Sequence, residues 1–134
     1  MTAGYSGTPL PKKLGIREGS RVALLHAPEG FCATLGAVPS RVTVRDKVGS
    51  EADVIVLFAT KFSKLKPEFL KAMRMMPADG GMLWIAWPKK AAKMDTDLDE
   101  NFIRDYGLSL GVVDTKVCAI DETWSGLRFN RRRA

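Results

Sequence analysis

Asp53-Val54-Ile55-Val56-Leu57-Phe58 and Gly81-Met82-Leu83-Trp84-Ile85-Ala86-Trp87 decide the fold class. Each is an unbroken apolar run; polar residues bound the first and Pro88 stops the second. A strand that is apolar at every position is covered on both faces, as the strands of parallel sheets are. Between the runs, Phe62, Leu65, Phe69, Met73 and Met76 recur at helical spacing and form one stripe. Ser63 suits the helix start, with Pro67 as the alternative first-turn residue. Pro77 and the pair Gly80-Gly81 end it. Strand, helix and strand from Asp53 to Trp87 therefore predict a right-handed parallel crossover.

Arg21-Val22-Ala23-Leu24-Leu25 reads as a buried strand running into the loop His26-Ala27-Pro28-Glu29-Gly30-Phe31. Nucleotide-binding α/β domains place a glycine-rich turn here. This turn has Pro28, one glycine and a glutamate, a poor cradle for phosphate. Arg41-Val42-Thr43-Val44-Arg45 alternates and predicts a half-exposed strand. Only seven residues separate it from Asp53, whereas a parallel crossover takes a dozen or more. Either an extended link crosses the sheet, or this strand is antiparallel or lies on an edge. A second helix is predicted from Asp97 to Leu110, with Thr96 as its cap. Leu98, Phe102, Ile103 and Tyr106 share one face, and Gly107 or Gly111 ends it. Lys116–Ile120 and Trp124–Asn130 flank the short polar turn Asp121-Glu122-Thr123, which favours an antiparallel hairpin. The amino end carries Gly4, Gly7, Pro9 and Pro11 and reads as an extended arm, with one helical turn over Lys12–Ile16. The division is an arm at 1–13, one domain at 14–130 and a basic tail at 131–134.

A chain of 134 residues with 46% hydrophobic residues builds one ordinary core. No apolar run approaches the ~20 residues that span a bilayer, and Met1–Ser6 lacks the pattern of a secretion signal. Cys32 and Cys118 stand apart from each other and from any histidine cluster, so neither a disulfide framework nor a metal site is expected. The predicted location is the cytoplasm, with no membrane association and no cofactor. Net charge is +6. Such an excess suits anionic ligands, nucleic acid or acidic protein surfaces, and equally serves solubility.

Several segments resemble class I methyltransferases, a Rossmann-like family. Leu14-Gly15-Ile16-Arg17-Glu18-Gly19-Ser20-Arg21-Val22-Ala23-Leu24-Leu25 resembles that family's entry into its first strand. Ala52–Val56 resembles its fourth strand, and Met76-Pro77-Ala78-Asp79-Gly80-Gly81-Met82-Leu83-Trp84-Ile85 its helix end, double glycine and fifth strand. The resemblance implies an α/β fold: a single-layer, mostly parallel Rossmann-like sheet with flanking helices and a C-terminal antiparallel hairpin. The family's third strand and helix have no counterpart. Its acidic glycine motif, which wraps the methyl donor, is replaced by Leu25–Gly30, and only Asp46 matches the acidic position after the second strand. Over the whole chain the sequence is similar to small bacterial proteins grouped as domain of unknown function 3052. The start Met1–Leu10, Trp87-Pro88-Lys89-Lys90 and Val117–Leu127 carry that resemblance. It implies no activity.

Ligands of open α/β sheets collect beyond the carboxyl ends of the strands. The candidate ligand or partner rim is therefore His26 and Glu29 after the first strand, Thr60 and Lys61 after the 53–58 run, and Trp87, Lys89 and Lys90 after the next. Trp87 with its lysines could stack on and neutralise a flat anion, or the indole could simply pack against the second helix. His26, the only histidine, is either a general base oriented by Glu29 or hydrogen-bonded scaffolding. Cys118 reads as buried and inert. Ser125 lacks the strand–elbow–helix setting of a hydrolase nucleophile. Lys64, Lys71, Arg74, Arg131, Arg132 and Arg133 are candidate phosphate contacts. No residue is assigned a catalytic role. The leading reading is a non-catalytic Rossmann-like domain that binds a small anion or a protein partner. The alternatives are a nucleic-acid-associated protein and an atypical S-adenosylmethionine-dependent methyltransferase.

Overall fold

The computed structural model describes residues 7–132. Six strands form one sheet: β1 (Arg21–Leu25), β2 (Thr43–Arg45), β3 (Val54–Phe58), β4 (Met82–Pro88), β5 (Val112–Ala119) and β6 (Trp124–Arg131). Their order is β2-β1-β3-β4-β6-β5. The first four are parallel, and β6 and β5 are antiparallel. Among the described residues four α-helices accompany them: α1 (Leu10–Lys13), α2 (Phe31–Leu35), α3 (Phe62–Met75) and α4 (Glu100–Leu110), with a short 3-10 turn at Lys90–Ala92. This is the mostly parallel sheet with a closing hairpin that the apolar runs predict.

Both faces of the sheet's centre are covered, which is why the central strands are apolar throughout. Ala23, Leu25, Ile55, Leu57, Leu83, Ile85, Leu127 and Phe129 point to the side of α3 and α4, where Leu65, Phe69, Ala72, Met75 and Ile103 meet them. Val22, Leu24, Val54, Val56, Phe58, Trp84 and Ala86 point to the other side, under Leu14, Ile16, Phe31, Leu35, Ile120 and Trp124. The alternation along each strand follows from the two-residue side-chain period.

β2 lies parallel to β1 on the sheet edge, which resolves the short connection. Thr43–Arg45 is three residues long and Arg45 pairs with Ala23, level with Ile55 on the far side of β1. The chain then has almost no strand length to retrace. The eight-residue link can reach about 26 Å, against about 10 Å across two strand spacings, so no crossover helix is required.

Four local readings shift. The amino-terminal helical turn is Leu10–Lys13 rather than Lys12–Ile16, and Leu10 packs on the sheet. The remainder of the expected arm, residues 1–6, lies outside the described residues. α3 begins at Phe62, because the Asp97 carboxylate accepts its backbone N–H at 2.8 Å. α4 begins at Glu100 with Asp99 as cap, accepting from the Phe102 N–H at 2.8 Å. Thr96 is engaged elsewhere: its hydroxyl donates to the Thr60 carbonyl at 2.6 Å. Gly107 does not end α4; it sits inside the helix, buried against Phe129.

At the amino ends of β1 and β3, Arg21 and Asp53 form a two-pronged pair. Arg21 Nε donates to Asp53 Oδ2 at 3.1 Å and Nη2 to Oδ1 at 2.9 Å. The Arg21 backbone N–H donates to the same carboxylate at 2.8 Å. The Arg21 side-chain bonds hold the Asp53 carboxyl below its ordinary value. A carboxyl lowered in the folded state stabilises the fold above the unfolded value of about 4 and ceases to as the pH falls through the folded value. Asp53→Asn should thus melt below the wild type at neutral pH, with the difference closing under more acid conditions. Melting curves taken across that range check this; a difference independent of pH would show that the charge is not the cause.

Candidate functional site

The chain leaves β1 toward β2 on one side and proceeds from β3 to β4 on the other, so the topological switch point lies between β1 and β3. Ligand sites of open α/β sheets form at the carboxyl end of such a switch. A cavity of about 300 Å3 is found there, with Leu57, Phe58, Ala59, Leu65 and Trp124 as its apolar lining and His26, Thr60, Lys64 and Glu68 as its polar groups. That volume is at the small end of the range for small-molecule sites.

Each polar group is placed by an identifiable local cause. β3 ends at Phe58 and delivers Thr60, whose carbonyl is held by Thr96. Asp97 caps the amino end of α3, and Lys61 pairs with Asp95 at 2.9 Å. These contacts pin the first turn of α3, and Lys64 and Glu68 follow one turn apart on the face toward the cavity. His26 follows directly on β1. Its Nε2 lies 3.0 Å from Glu68 Oε1. The second Glu68 oxygen is buried without a hydrogen bond, with Lys71 Nζ at 3.7 Å.

His26 has φ +57°. This left-handed conformation costs a residue with a Cβ about 1–2 kcal/mol. A histidine–carboxylate contact as open as this one, with the histidine side chain 58% exposed, contributes at most about 1 kcal/mol whether the ring is charged or neutral. The pair therefore does not repay the backbone strain as a stability device. His26→Gly relieves the strain that His26→Ala retains, so the glycine variant should be the more stable of the two by about 1 kcal/mol. Urea denaturation of both variants measures it; equal stabilities would mean that the loop relaxes and stores no strain.

The predicted rim does not gather into one site. His26 and Thr60 share the switch-point cavity with Lys64. Glu29 is exposed and lines neither neighbouring cavity; the carboxylate beside His26 is Glu68, from 42 residues further along. Trp87 is only 7% exposed and packs in the core with Leu98 and Ile103, on the α4 side. Its edge, with Lys89 and Lys90, borders a separate depression that also holds Asp99 and Glu100. A third cavity, about 620 Å3, lies between the ends of β1 and β2 and includes His26, Phe31, Cys32, Arg45 and Asp46.

Among the candidate phosphate contacts, Lys64 lines the switch-point cavity and Lys71 pairs with Glu68. Arg74 and Arg132 are exposed. Arg131 is spent inside the fold: Nε donates to the Pro77 carbonyl at 2.8 Å, and Nη2 to the carbonyls of Met73 and Met76 at 3.1 and 2.8 Å. It caps the carboxyl end of α3. Arg133 lies outside the described residues. Burial raises the Cys118 thiol above its ordinary value, against the opposing charge of Lys13 and Lys116, which keeps it protonated and a poor nucleophile. Among the described residues, no group of three or more His, Cys, Asp and Glu could hold a metal, and no helix is long and apolar enough to cross a membrane.

Glu68 is a candidate-site residue that the sequence alone does not assign. Its one signal is that it is the sole acid on a helix otherwise lined with lysines and an arginine.

No family model matches the sequence, and no curated protein matches it. Solved structures do. A SAM-dependent methyltransferase from Aquifex aeolicus superposes with a TM-score of 0.57 at 15% identity, over 88% of this chain and 85% of that one. A candidate RNA methyltransferase from Pyrococcus horikoshii superposes with a TM-score of 0.56 at 18% identity, over 91% of this chain and 78% of that one. Identities this low establish architecture only. The chain has a Rossmann-like, methyltransferase-like α/β fold.

Proposed function

We propose that this protein is a Rossmann-like binding domain that takes a small anionic ligand at the carboxyl ends of β1 and β3. The observation that carries the reading is the switch-point cavity, with an apolar lining and the convergent groups His26, Thr60, Lys64 and Glu68. Lys64 has no carboxylate within ion-pair distance among the described residues, so its charge is available to a ligand. An apolar pocket with a few aimed polar groups is the usual form of a small-molecule site. Membership of domain of unknown function 3052, which the sequence resemblance implies, has no matching family model behind it and brings no activity of its own.

Thermal melting against a panel of small organic phosphates and carboxylates tests it. A ligand at about a hundred times its dissociation constant adds about 2.7 kcal/mol, which raises Tm by several degrees in a domain of this size. The gain should vanish in Lys64→Ala. A panel without any stabilising anion would sink the reading.

A second reading is a methyltransferase with an altered donor site. The cavity between β1 and β2, with Asp46 at its edge, favours it together with the fold. Calorimetry with S-adenosylmethionine decides it, and absence of heat at high protein concentration ends it. The nucleic-acid reading loses Arg131, whose guanidinium is committed to α3. Lys64, Lys71, Arg74 and Arg132 remain as its possible phosphate contacts, and a steep loss of binding with salt would be its signature.

A further inference from the structure

His26 is the wall shared by two cavities, one over β1 and β3 and the other over β1 and β2. We propose that it is a proton-transfer residue, with Glu68 as its positioning partner, acting on a small anion that bears an acidic O–H or N–H. This deepens the anion-binding reading and rests on it.

Three observations converge on the ring. The backbone at His26 is held in a left-handed conformation that the contact with Glu68 does not repay, and strain of this kind persists where function retains it. Nε2 lies 3.0 Å from Glu68 Oε1. Nδ1 has no protein partner among the described residues. A carboxylate only accepts hydrogen bonds, so Nε2 is the donor, and the neutral ring carries its lone pair on Nδ1. This is the arrangement in which a carboxylate fixes the tautomer of a basic imidazole. Glu68 comes from α3, whose first turn is fixed by Asp97 and Asp95, so the pair is built by a remote element rather than by chance within one loop.

The step is a plain proton transfer. The Nδ1 lone pair forms a bond to the ligand's proton, and the electrons of the broken O–H or N–H bond stay on the ligand atom. The imidazolium so formed is held by Glu68 on its opposite nitrogen. The ligand's added negative charge faces Lys64, a cation of the same cavity. Return of the proton from Nδ1 to a ligand atom restores the neutral ring.

Because His26 is the only histidine, proton–nitrogen correlation spectra of the full chain report its ring without ambiguity. Wild-type protein should show the Nε2-protonated tautomer with an observable Nε2–H proton. In Glu68→Leu that proton should exchange too fast to observe, and the Nδ1-protonated form should enter. Inorganic phosphate, an anion that itself bears an O–H, should move the Nδ1 resonance saturably in wild type and not in Lys64→Ala. An Nδ1-protonated ring in the wild type overturns the proposal, whatever the variants do. So does an Nε2–H signal unchanged in Glu68→Leu. If phosphate shifts the amides of Thr60 and Lys64 but leaves Nδ1 unmoved, anion binding stands and proton transfer falls. If neither phosphate nor any other anion of the panel moves these resonances, both fall.

Discussion

Trp84→Ala should lower the unfolding free energy by about 3–5 kcal/mol, the cost of emptying a core site of its largest side chain. Trp84 lies in the middle of β4 and is completely buried. Its indole N–H donates to the Leu14 carbonyl at 3.0 Å, tying the segment after α1 onto the sheet. The Arg128 guanidinium lies 5.9 Å from the ring centroid. Gly126 on β6 leaves room for the ring: a Cβ there would lie 3.1 Å from it and 2.9 Å from Ile120. The alanine variant thus loses packing, a hydrogen bond that the Leu14 carbonyl cannot replace, and the seal between two segments. Domains of this kind are stable by only about 5–15 kcal/mol, so the variant should be extensively unfolded at modest urea. Trp84→Phe separates the terms. It retains most of the apolar volume and forfeits the N–H, and should fall between wild type and alanine. If Trp84→Ala unfolds at the wild-type urea midpoint, the description of this face of the core is wrong.

Gly107→Ala carries the opposite sign from the usual helix substitution. In an exposed helix interior, glycine to alanine gains about 1 kcal/mol through backbone entropy. Here an added Cβ would lie 2.2 Å from Phe129 Cε1 and 2.6 Å from its Cζ. Phe129 cannot retreat freely, since its ring packs edge-on against Phe69 at 5.4 Å in the core between α3 and β6. Overpacking of this kind costs about 1–3 kcal/mol, so α4 must lift from the sheet or the ring must leave its rotamer. Gly107→Ala should be destabilised by that amount, and Gly107→Val by more. Combining Gly107→Ala with Phe129→Leu should recover part of the loss, a coupling expected of touching residues. Equilibrium urea denaturation of the two singles and the double checks it; additive effects would show that the two sites do not touch.

The parts of this fold legible in the sequence are those whose pattern is repeated several times within one element. β3 and β4 are covered on both faces, so every residue is apolar and the parallel core is announced directly. The α3 stripe and the closing hairpin are equally periodic. What was not legible depends on pairings between distant segments. α2 is five residues long, too short to show a period, and starts after Gly30 in a positive-φ conformation. Gly107 reads as a breaker until Phe129 is placed beside it. Thr96 and Asp99 are both good caps, and only the Thr60 carbonyl shows why Asp99 serves α4. Arg131 looks like part of a free basic tail, yet the end of α3 binds it. At the site, His26 was legible as the lone histidine after a strand. Spacing points to Glu29, three residues away, as its partner, whereas the fold brings Glu68 from the next helical layer. Local spacing says nothing about such a contact.

A backbone amide titration of the full chain with small organic phosphates and carboxylates tests anion binding at the switch point most directly. Saturable shifts centred on His26, Thr60, Lys64 and Glu68, around the carboxyl ends of β1 and β3, are the expected result. Shifts centred instead on Lys89 and Lys90, or no saturable shifts with any anion, would contradict it.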